Sequence, residues 1–275
     1  MVETPSEHIG ELDELPVFWR EAPTPDAAGR APALYLHGVP SNCDEWTVFL
    51  ARTGGLAVDL PGFGRSGKPG FRNYTIEEYD AFIERFLDQR ELPRVQLVMH
   101  DWGAVGLAFA QRMPERVERI VLINAVPFLP GYRWHRTARV WRTAGLGELA
   151  MGLTGRWSLR LLSRESNVAP GPMPEEWLDS TLATFDPGTQ RAILRLYRSS
   201  PPARLAAAGA HLGALTMPAL VAWGTQDPYI PARFGAAYAQ ALGDAQLLEL
   251  PDAGHWPWLD RPDLIERVRE FLERS

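Results

Sequence analysis

Short apolar runs, each bounded by Gly, Pro or Asp, recur along the chain and limit the folds that it can adopt. Each run has the length of a strand, and several are apolar on both faces, as a parallel sheet covered by helices requires. We predict one strand for each run. The runs are residues 16–20, 33–37, 55–60, 94–100, 119–125, 218–224 and 245–250.

Helical patterns lie between these runs. In residues 75–92, Thr75 stands at a candidate N-cap, Glu78 follows at the capping-box spacing, and apolar residues recur along one helical face. Residues 103–114 and 262–275 also have the pattern of helices. Strands that alternate with helices predict the α/β class, with a mostly parallel central sheet flanked by helices.

The alternation stops after residue 126 and resumes near residue 213. The intervening sequence is rich in Arg, Leu, Ala, Trp and Pro and has the pattern of several short helices. We therefore predict a first core segment (1–126), a helical cap or lid inserted between two core strands (127–212), and a second core segment (213–275).

Composition argues against several functional classes. The formal net charge is −6, whereas proteins that bind nucleic acids or anionic membrane surfaces need a basic patch. The acidic N-terminal sequence lacks the apolar centre of a signal peptide, and no apolar stretch approaches the ~18 residues that span a bilayer. We therefore expect a cytoplasmic protein without nucleic-acid or membrane partners; the sequence does not indicate its oligomeric state.

Cysteine and histidine usage narrows the chemistry further. Cys43 is the single cysteine, which excludes an intramolecular disulfide, and we expect it to pack in the core. The six histidines show no metal-ligand spacing. We therefore predict no metal and no cofactor.

Three polar residues follow predicted strands: Asp101, Asp227 and His255. Ligands bind at the carboxyl ends of strands in open α/β sheets, so we expect these side chains to meet there. Each residue alone has a structural interpretation: Asp101 as a helix N-cap, Asp227 as a turn residue, and His255 as a buried histidine. Their order along the chain, a nucleophile, an acid and a histidine, favours a catalytic triad instead.

Five stretches of sequence support a resemblance to a known family. Through them the chain resembles the α/β-hydrolase superfamily, and more narrowly its Asp-nucleophile branch of epoxide hydrolases and haloalkane dehalogenases. The stretches cover both core segments and leave the helical insertion weakly matched. They are HGVP (37–40), DLPGFGRSGKP (59–69), HDWG (100–103), WGTQDPYIP (223–231) and AGHWPWLDRPD (253–263).

The resemblance implies a two-step hydrolysis. Asp101 would displace a leaving group from an sp³ carbon and form an alkyl ester. His255, held by Asp227, would then activate a water that attacks the ester carbonyl. The implied oxyanion donors are the backbone N–H groups of Val39 and Trp102.

Some residues around the nucleophile have other expected roles. Met99 stands where the family places glycine, so we expect either a reshaped turn or a Met99 side chain that packs outward. We expect His37 and His100 to be structural and to form hydrogen bonds beneath the site.

Two leaving groups are compatible with this nucleophile, and both imply a small hydrophobic substrate and water. An epoxide, our first expectation, requires acids in the lid; Tyr197 resembles one of them, and Tyr132 or His135 could be the other. A halide, the alternative, requires N–H donors, such as the indole of Trp102 and a lid tryptophan. The lid tryptophans are Trp134, Trp141, Trp157 and Trp177.

Two further alternatives rank lower. Fluoroacetate-type dehalogenases carry an arginine just after the nucleophile, where this chain has Trp102 and Ala104. A non-catalytic binding protein of the same fold has no need of all three triad residues.

Overall fold

The computed structural model describes residues 4–24, 29–168 and 173–274. Within these ranges, eight strands form one sheet. The strands are Ser6–Leu12 (β1), Leu15–Ala22 (β2), Ala33–Leu36 (β3), Gly55–Val58 (β4), Val95–His100 (β5), Val117–Ile123 (β6), Ala219–Gly224 (β7) and Ala245–Leu250 (β8).

The strand order is β1-β2-β4-β3-β5-β6-β7-β8. The first two pairings, β1 with β2 and β2 with β4, are antiparallel, and the others are parallel. The central strands β3, β4, β5 and β7 are buried along their whole length because helices cover both faces. The prediction of a mostly parallel, helix-flanked sheet is confirmed.

Helices within the described residues both cover the sheet and fill the gap between β6 and β7. They are Thr47–Thr53 (α1), Ile76–Gln89 (α2), Gly106–Arg112 (α3), Arg136–Arg142 (α4), Leu146–Gly152 (α5), Arg156–Leu162 (α6), Glu175–Thr184 (α7), Pro187–Ser199 (α8), Pro202–Ala208 (α9), Arg233–Ala241 (α10), Pro257–Asp260 (α11) and Asp263–Leu272 (α12). None of these described helices is long and apolar enough to cross a membrane.

The start of α2 matches its predicted cap only in part. The Thr75 side chain accepts a hydrogen bond from the Glu78 N–H (3.3 Å), as an N-cap should. The Glu78 carboxylate, however, accepts from the Tyr74 N–H (2.8 Å), so the reciprocal half of the capping box moves one residue outward.

Strand β1 was not predicted. It is an edge strand whose polar side chains are mostly exposed, so it lacks a long apolar run. A tight turn joins it to β2, and both turn residues, Asp13 and Glu14, have positive φ values of 51° and 61°. Asn and Gly mark such turns most clearly, and their absence here hid the hairpin.

The helices α4 to α9, here called the helical segment, occupy the predicted insertion between β6 and β7. Polar contacts attach this segment to the loops that follow β3 and β4. Ser180 on α7 donates to Asp44 (2.5 Å) and accepts from the side-chain amide of Asn42 (3.0 Å). Farther along the segment, Lys68 pairs with Asp186 at 2.8 Å. The domain limits 127–212 remain our proposal.

The turn after β5 corrects our expectation for Met99. This side chain is fully buried and does not pack outward. It packs against Gly106 at the start of α3, where an added Cβ would lie 2.8 Å from the Met99 sulfur. A glycine at the start of the following helix therefore supplies the volume that the larger strand residue needs.

We predict that Gly103→Ala destabilises the fold more than Gly106→Ala. An added Cβ at Gly103 would lie 2.1 Å from the rigid backbone oxygen of Leu36, whereas at Gly106 it meets the flexible ends of Met99 and Leu36. The expected losses in unfolding free energy are about 3 kcal/mol and about 1 kcal/mol or less, respectively. Urea unfolding of the two variants measures them, and equal losses would contradict the packing described for this turn.

Candidate active site

Asp101 begins the turn that connects β5 to α3. Its φ angle is +47°, in the left-handed region that a non-glycine residue adopts only when its surroundings enforce it. The residue is 5% exposed, and its Oδ2 accepts a hydrogen bond from the Val39 N–H at 2.9 Å. One carboxylate oxygen is thus held by the backbone.

The peptide that supplies this N–H is fixed by His37. The Nδ1–H of His37 donates to the Gly38 carbonyl (2.8 Å), and its Nε2 accepts from the Leu60 N–H (3.0 Å). The Gly38 carbonyl and the Val39 N–H belong to one planar peptide, so the first bond orients the second. An added Cβ at Gly38 would lie 2.6 Å from the Asp101 Cβ, which explains why glycine is needed there.

Opposing effects act on the Asp101 carboxyl. Burial raises its pKa, and the net direction is upward. His255, His100 and the backbone N–H groups of Val39 and Trp102 act in the other direction and lower the pKa. The predicted oxyanion donors are therefore the same N–H groups that stabilise the ionised side chain.

His255 and Asp227 form a buried pair at the ends of β8 and β7. The His255 Nδ1 and the Asp227 Oδ2 are 2.7 Å apart. The Asp227 Oδ1 accepts from the N–H groups of Tyr229 (2.7 Å) and Ile230 (3.0 Å). Burial opposes both charges, yet the pKa of Asp227 is lowered by His255 and these N–H groups, and that of His255 is raised by Asp227.

Asn124, at the end of β6, supports this pair and was missed by the sequence analysis. Its amide donates to the Asp227 Oδ2 (2.8 Å), and its Oδ1 accepts from the Gly224 N–H (2.8 Å). We had assigned the residue to the interior of a strand, but β6 ends at Ile123 and Asn124 has a φ of +38°. The position of this polar residue at the carboxyl end of a central strand is the sequence signal that could have identified Asn124 as a site residue.

Asp101 and His255 lie at the base of a cavity of about 660 Å³ whose other walls come mostly from the helical segment. Such a volume accommodates a small organic molecule. Several exposed side chains on and beside α5 and α6 are apolar, and they are here called the apolar rim: Leu146, Leu149, Leu153, Trp157 and Leu161. Leu153 and Leu161 also line the cavity, so the rim is continuous with its wall.

The predicted leaving-group residues Tyr132, Tyr197, Trp134 and His135 all line this cavity. The Tyr132 hydroxyl is buried without a hydrogen-bond partner among the described residues. Burial raises the pKa of both tyrosines, and the nearby Asp101 adds to the shift, so both hydroxyls stay protonated donors.

Trp134 requires a correction. Its indole N–H donates to the Ser200 carbonyl (3.0 Å), so this side chain forms a wall and has no donor left for a leaving group. His135 Nδ1 accepts from the Ala138 N–H (3.4 Å) at the start of α4. Burial lowers the His135 pKa to about 4, so its ring is neutral near pH 7.

The indole N–H groups of two other residues beside the site differ in their surroundings. Among the described residues the buried Trp177 N–H has no hydrogen-bond partner, whereas the buried Trp102 N–H faces the Tyr197 hydroxyl and lowers the pKa of that phenol. The Trp102 ring packs between Trp134 (5.4 Å between ring centroids) and Tyr197 (5.2 Å). Trp177 lines the cavity and packs edge-on against Trp256 (5.2 Å). Trp157 is 77% exposed.

The described residues contain no group of three or more His, Cys, Asp or Glu that could hold a metal ion. Cys43 is buried, and its backbone N–H donates to Asp59 (2.7 Å), which agrees with a packing role.

Comparisons with known proteins identify the family of this chain. A model of the alpha/beta hydrolase family matches residues 33–268. A haloalkane dehalogenase of Mesorhizobium japonicum is 28% identical over 86% of this chain and 82% of its own length. Epoxide hydrolase 1 of Caenorhabditis elegans is 23% identical over 88% of this chain and 64% of its own length.

The similarity extends to solved structures. The crystal structure of haloalkane dehalogenase DbeA from Bradyrhizobium elkani superimposes with a TM-score of 0.83 at 26% identity, covering 98% of this chain and 97% of that one. The family match spans β3 to α12 and includes Asp101, Asp227 and His255. This chain therefore belongs to the alpha/beta hydrolase family.

Proposed function

We propose that the protein hydrolyses a bond between an sp³ carbon and a leaving group through an alkyl ester on Asp101. The observation that carries this proposal is the resting position of Asp101, whose Oδ2 already accepts the Val39 N–H at 2.9 Å. A carboxylate held in this way leaves its other oxygen to attack carbon. The same N–H then stabilises the oxyanion that forms when water attacks the ester.

His255 carries out the second step. Asp227 binds its Nδ1, which fixes the ring and leaves Nε2 to take a proton from water. The attacking hydroxyl oxygen bonds to the Asp101 carbonyl carbon, and collapse of this intermediate releases an alcohol and restores the carboxylate. The helical segment acts as a cap that separates these steps from bulk solvent.

Hydrolysis of a carbon–halogen bond, our alternative at the start, is now the leading assignment. The similarity to haloalkane dehalogenases in sequence and in structure supports it better than epoxide opening. The indole N–H of Trp102, which follows Asp101 in the chain and faces the Tyr197 hydroxyl, also supports it, since a departing halide needs such a donor.

Epoxide hydrolysis is the second candidate, and the tyrosines favour it. Tyr132 and Tyr197 line the cavity and carry protonated hydroxyls, and a ring oxygen that becomes an alkoxide needs donors of this kind. Val39 supplies no side-chain amide and the Trp134 N–H is engaged, so a pair of halide donors would have to combine Trp102 with a hydroxyl or with Trp177.

His255→Gln should trap the alkyl ester, because the first step does not use His255. Turnover should fall by about 10²- to 10⁴-fold, and mass spectrometry should find the substrate's alkyl group on the peptide that contains Asp101. His8→Gln, on the outer strand β1, should turn over without trapping. An adduct on Cys43, or none under conditions where the parent enzyme turns over, would refute the nucleophile.

Ester hydrolysis should fail as the pH drops through the pKa of His255, because a protonated imidazole cannot accept a proton from water. Since this pKa is raised by Asp227, the midpoint should lie above 6.5. Asp227→Asn should move it to lower pH and also reduce the plateau rate. Single-turnover hydrolysis between about pH 5.5 and 9 measures both effects; a midpoint that Asp227→Asn leaves unmoved would contradict the pairing.

The leaving group can be identified with 1-bromobutane and styrene oxide, by following bromide and diol. If a halide leaves, Trp102→Phe should lower kcat/KM for the bromide by about 10- to 100-fold. If an alkoxide leaves, Tyr132→Phe should do so for the epoxide. Tyr79→Phe, which removes a buried hydroxyl bonded to the Pro61 carbonyl, is the matched control. Turnover of neither substrate class across a modest panel would favour a binding protein.

A further inference from the structure

The loop after β8, which carries His255, is bonded to a short stretch of the helical segment, residues 166–168 between α6 and α7. The His255 N–H donates to the Ser166 carbonyl at 2.6 Å. An added Cβ at Gly254 would lie 2.3 Å from the same carbonyl oxygen, so this close approach needs glycine at position 254. The His255 carbonyl instead lies 2.9 Å from the Nε2 of His100, in the core. The backbone of the proposed general base is thus held by both the core and the helical segment.

Asn167 is the side chain that fastens this contact. Its amide nitrogen donates to the Trp256 carbonyl (2.9 Å) and to the Asp260 Oδ2 (3.2 Å). A backbone carbonyl can only accept, so the amide presents its NH₂ group to the loop and not its oxygen. The Asn167 oxygen is buried and forms no hydrogen bond with any described residue. Asn167 therefore acts through its two donated bonds, one of which reaches the residue that follows His255.

Asp260, at the end of α11, bonds the same stretch to the residue that precedes His255. Its Oδ2 accepts from the Val168 N–H at 3.1 Å, as well as from Asn167. The same oxygen accepts from the Gly254 N–H at 2.8 Å. The helical segment is therefore tied to the loop on both sides of His255. The four residues that make these contacts are here called the clasp: Ser166, Asn167, Val168 and Asp260.

The clasp also reaches the acid of the catalytic pair, through Tyr229. The Ser166 side chain is buried, and its Oγ lies 3.0 Å from the Tyr229 hydroxyl. The Tyr229 N–H donates to the Asp227 Oδ1 at 2.7 Å. The Tyr229 ring packs edge-on against His255, with 5.1 Å between the ring centroids. One side chain of the clasp thus supports a residue that contacts both His255 and Asp227.

Asp101 is held in a different way. The N–H groups that bond its carboxyl belong to Val39, after β3, and to Trp102, in its own turn. These hydrogen bonds come from the core, whereas those of the His255 backbone come from the core and from the helical segment. A disturbance of the clasp should therefore reach the general base and spare the nucleophile.

We propose that the clasp positions His255 for catalysis, with Asn167 as a positioning residue, so that hydrolysis of the alkyl ester depends on this contact and formation of the ester does not. A base must lie within hydrogen-bond reach of the water it activates, and a displacement of about 1 Å can cost about 10²-fold in rate. Asp227 fixes the His255 ring, and the clasp fixes the backbone that carries it. This proposal rests on the proposed function, in which His255 acts only in the second step.

Asn167→Ala tests the proposal because it removes both side-chain bonds and leaves the contact between His255 and Asp227 in place. Single-turnover experiments with 1-bromobutane or styrene oxide, whichever the parent enzyme turns over, measure ester formation and ester hydrolysis separately. Hydrolysis should slow by about 10-fold while formation stays close to the parent rate, so the ester on Asp101 should accumulate. The pH midpoint of hydrolysis should not move, because Asp227 still binds the ring.

Ser180→Ala is the matched control. It removes another polar attachment of the helical segment, the hydrogen bond from Ser180 to Asp44, which does not involve the loop after β8. Both rates should stay close to those of the parent. Equal losses in the two steps of Asn167→Ala, or an unchanged hydrolysis rate in this variant when it is folded, would overturn the proposal.

A second measurement detects the clasp without catalysis. Hydrogen exchange of the peptide that contains His255 should be faster in Asn167→Ala than in the parent, because the bond to the Ser166 carbonyl protects the His255 N–H. Exchange should not change in Ser180→Ala, and unchanged exchange in Asn167→Ala would overturn the proposal. Absence of an alkyl ester with both substrates, in the parent and in His255→Gln, would instead refute the proposed function and leave the exchange result standing.

Discussion

The hydrogen bond from the Val39 N–H to the Asp101 carboxylate is the contact on which the site depends. It needs β3 and β5 side by side, so that the loop after one strand reaches the turn after the other. It needs a glycine at position 38 and a left-handed backbone at Asp101. In the parallel sheet the strands end together at one edge, which brings the loop after β3 and the turn after β5 into contact.

The parts of the structure that follow from local pattern could be predicted from the sequence. Each apolar run became a strand, and the polar residues that followed three of them met at the same edge. Residues whose role depends on distant partners could not be predicted. Asn124 acts through β7, and Met99 is accommodated by a glycine of the next helix.

The helical segment also contains residues whose roles cannot be predicted from the sequence alone. Aromatic composition alone made Trp134 and Tyr132 equal candidates for contact with the leaving group. The backbone carbonyl of Ser200 accepts the indole N–H of Trp134, whereas no group among the described residues forms a hydrogen bond with the Tyr132 hydroxyl. Hydrogen bonds of this kind decide which donors in a cavity stay free, and they join residues that are far apart in the sequence.

The apolar rim gives the cavity a directional preference. A hydrophobic molecule that reaches the side chains beside α5 and α6 exchanges water for hydrocarbon before it enters, which raises its local concentration at the entrance. Either proposed reaction adds at least one hydroxyl, and a hydroxyl partitions poorly onto such a surface. Under either proposed reaction, the rim would therefore hold a hydrophobic substrate better than its more polar product.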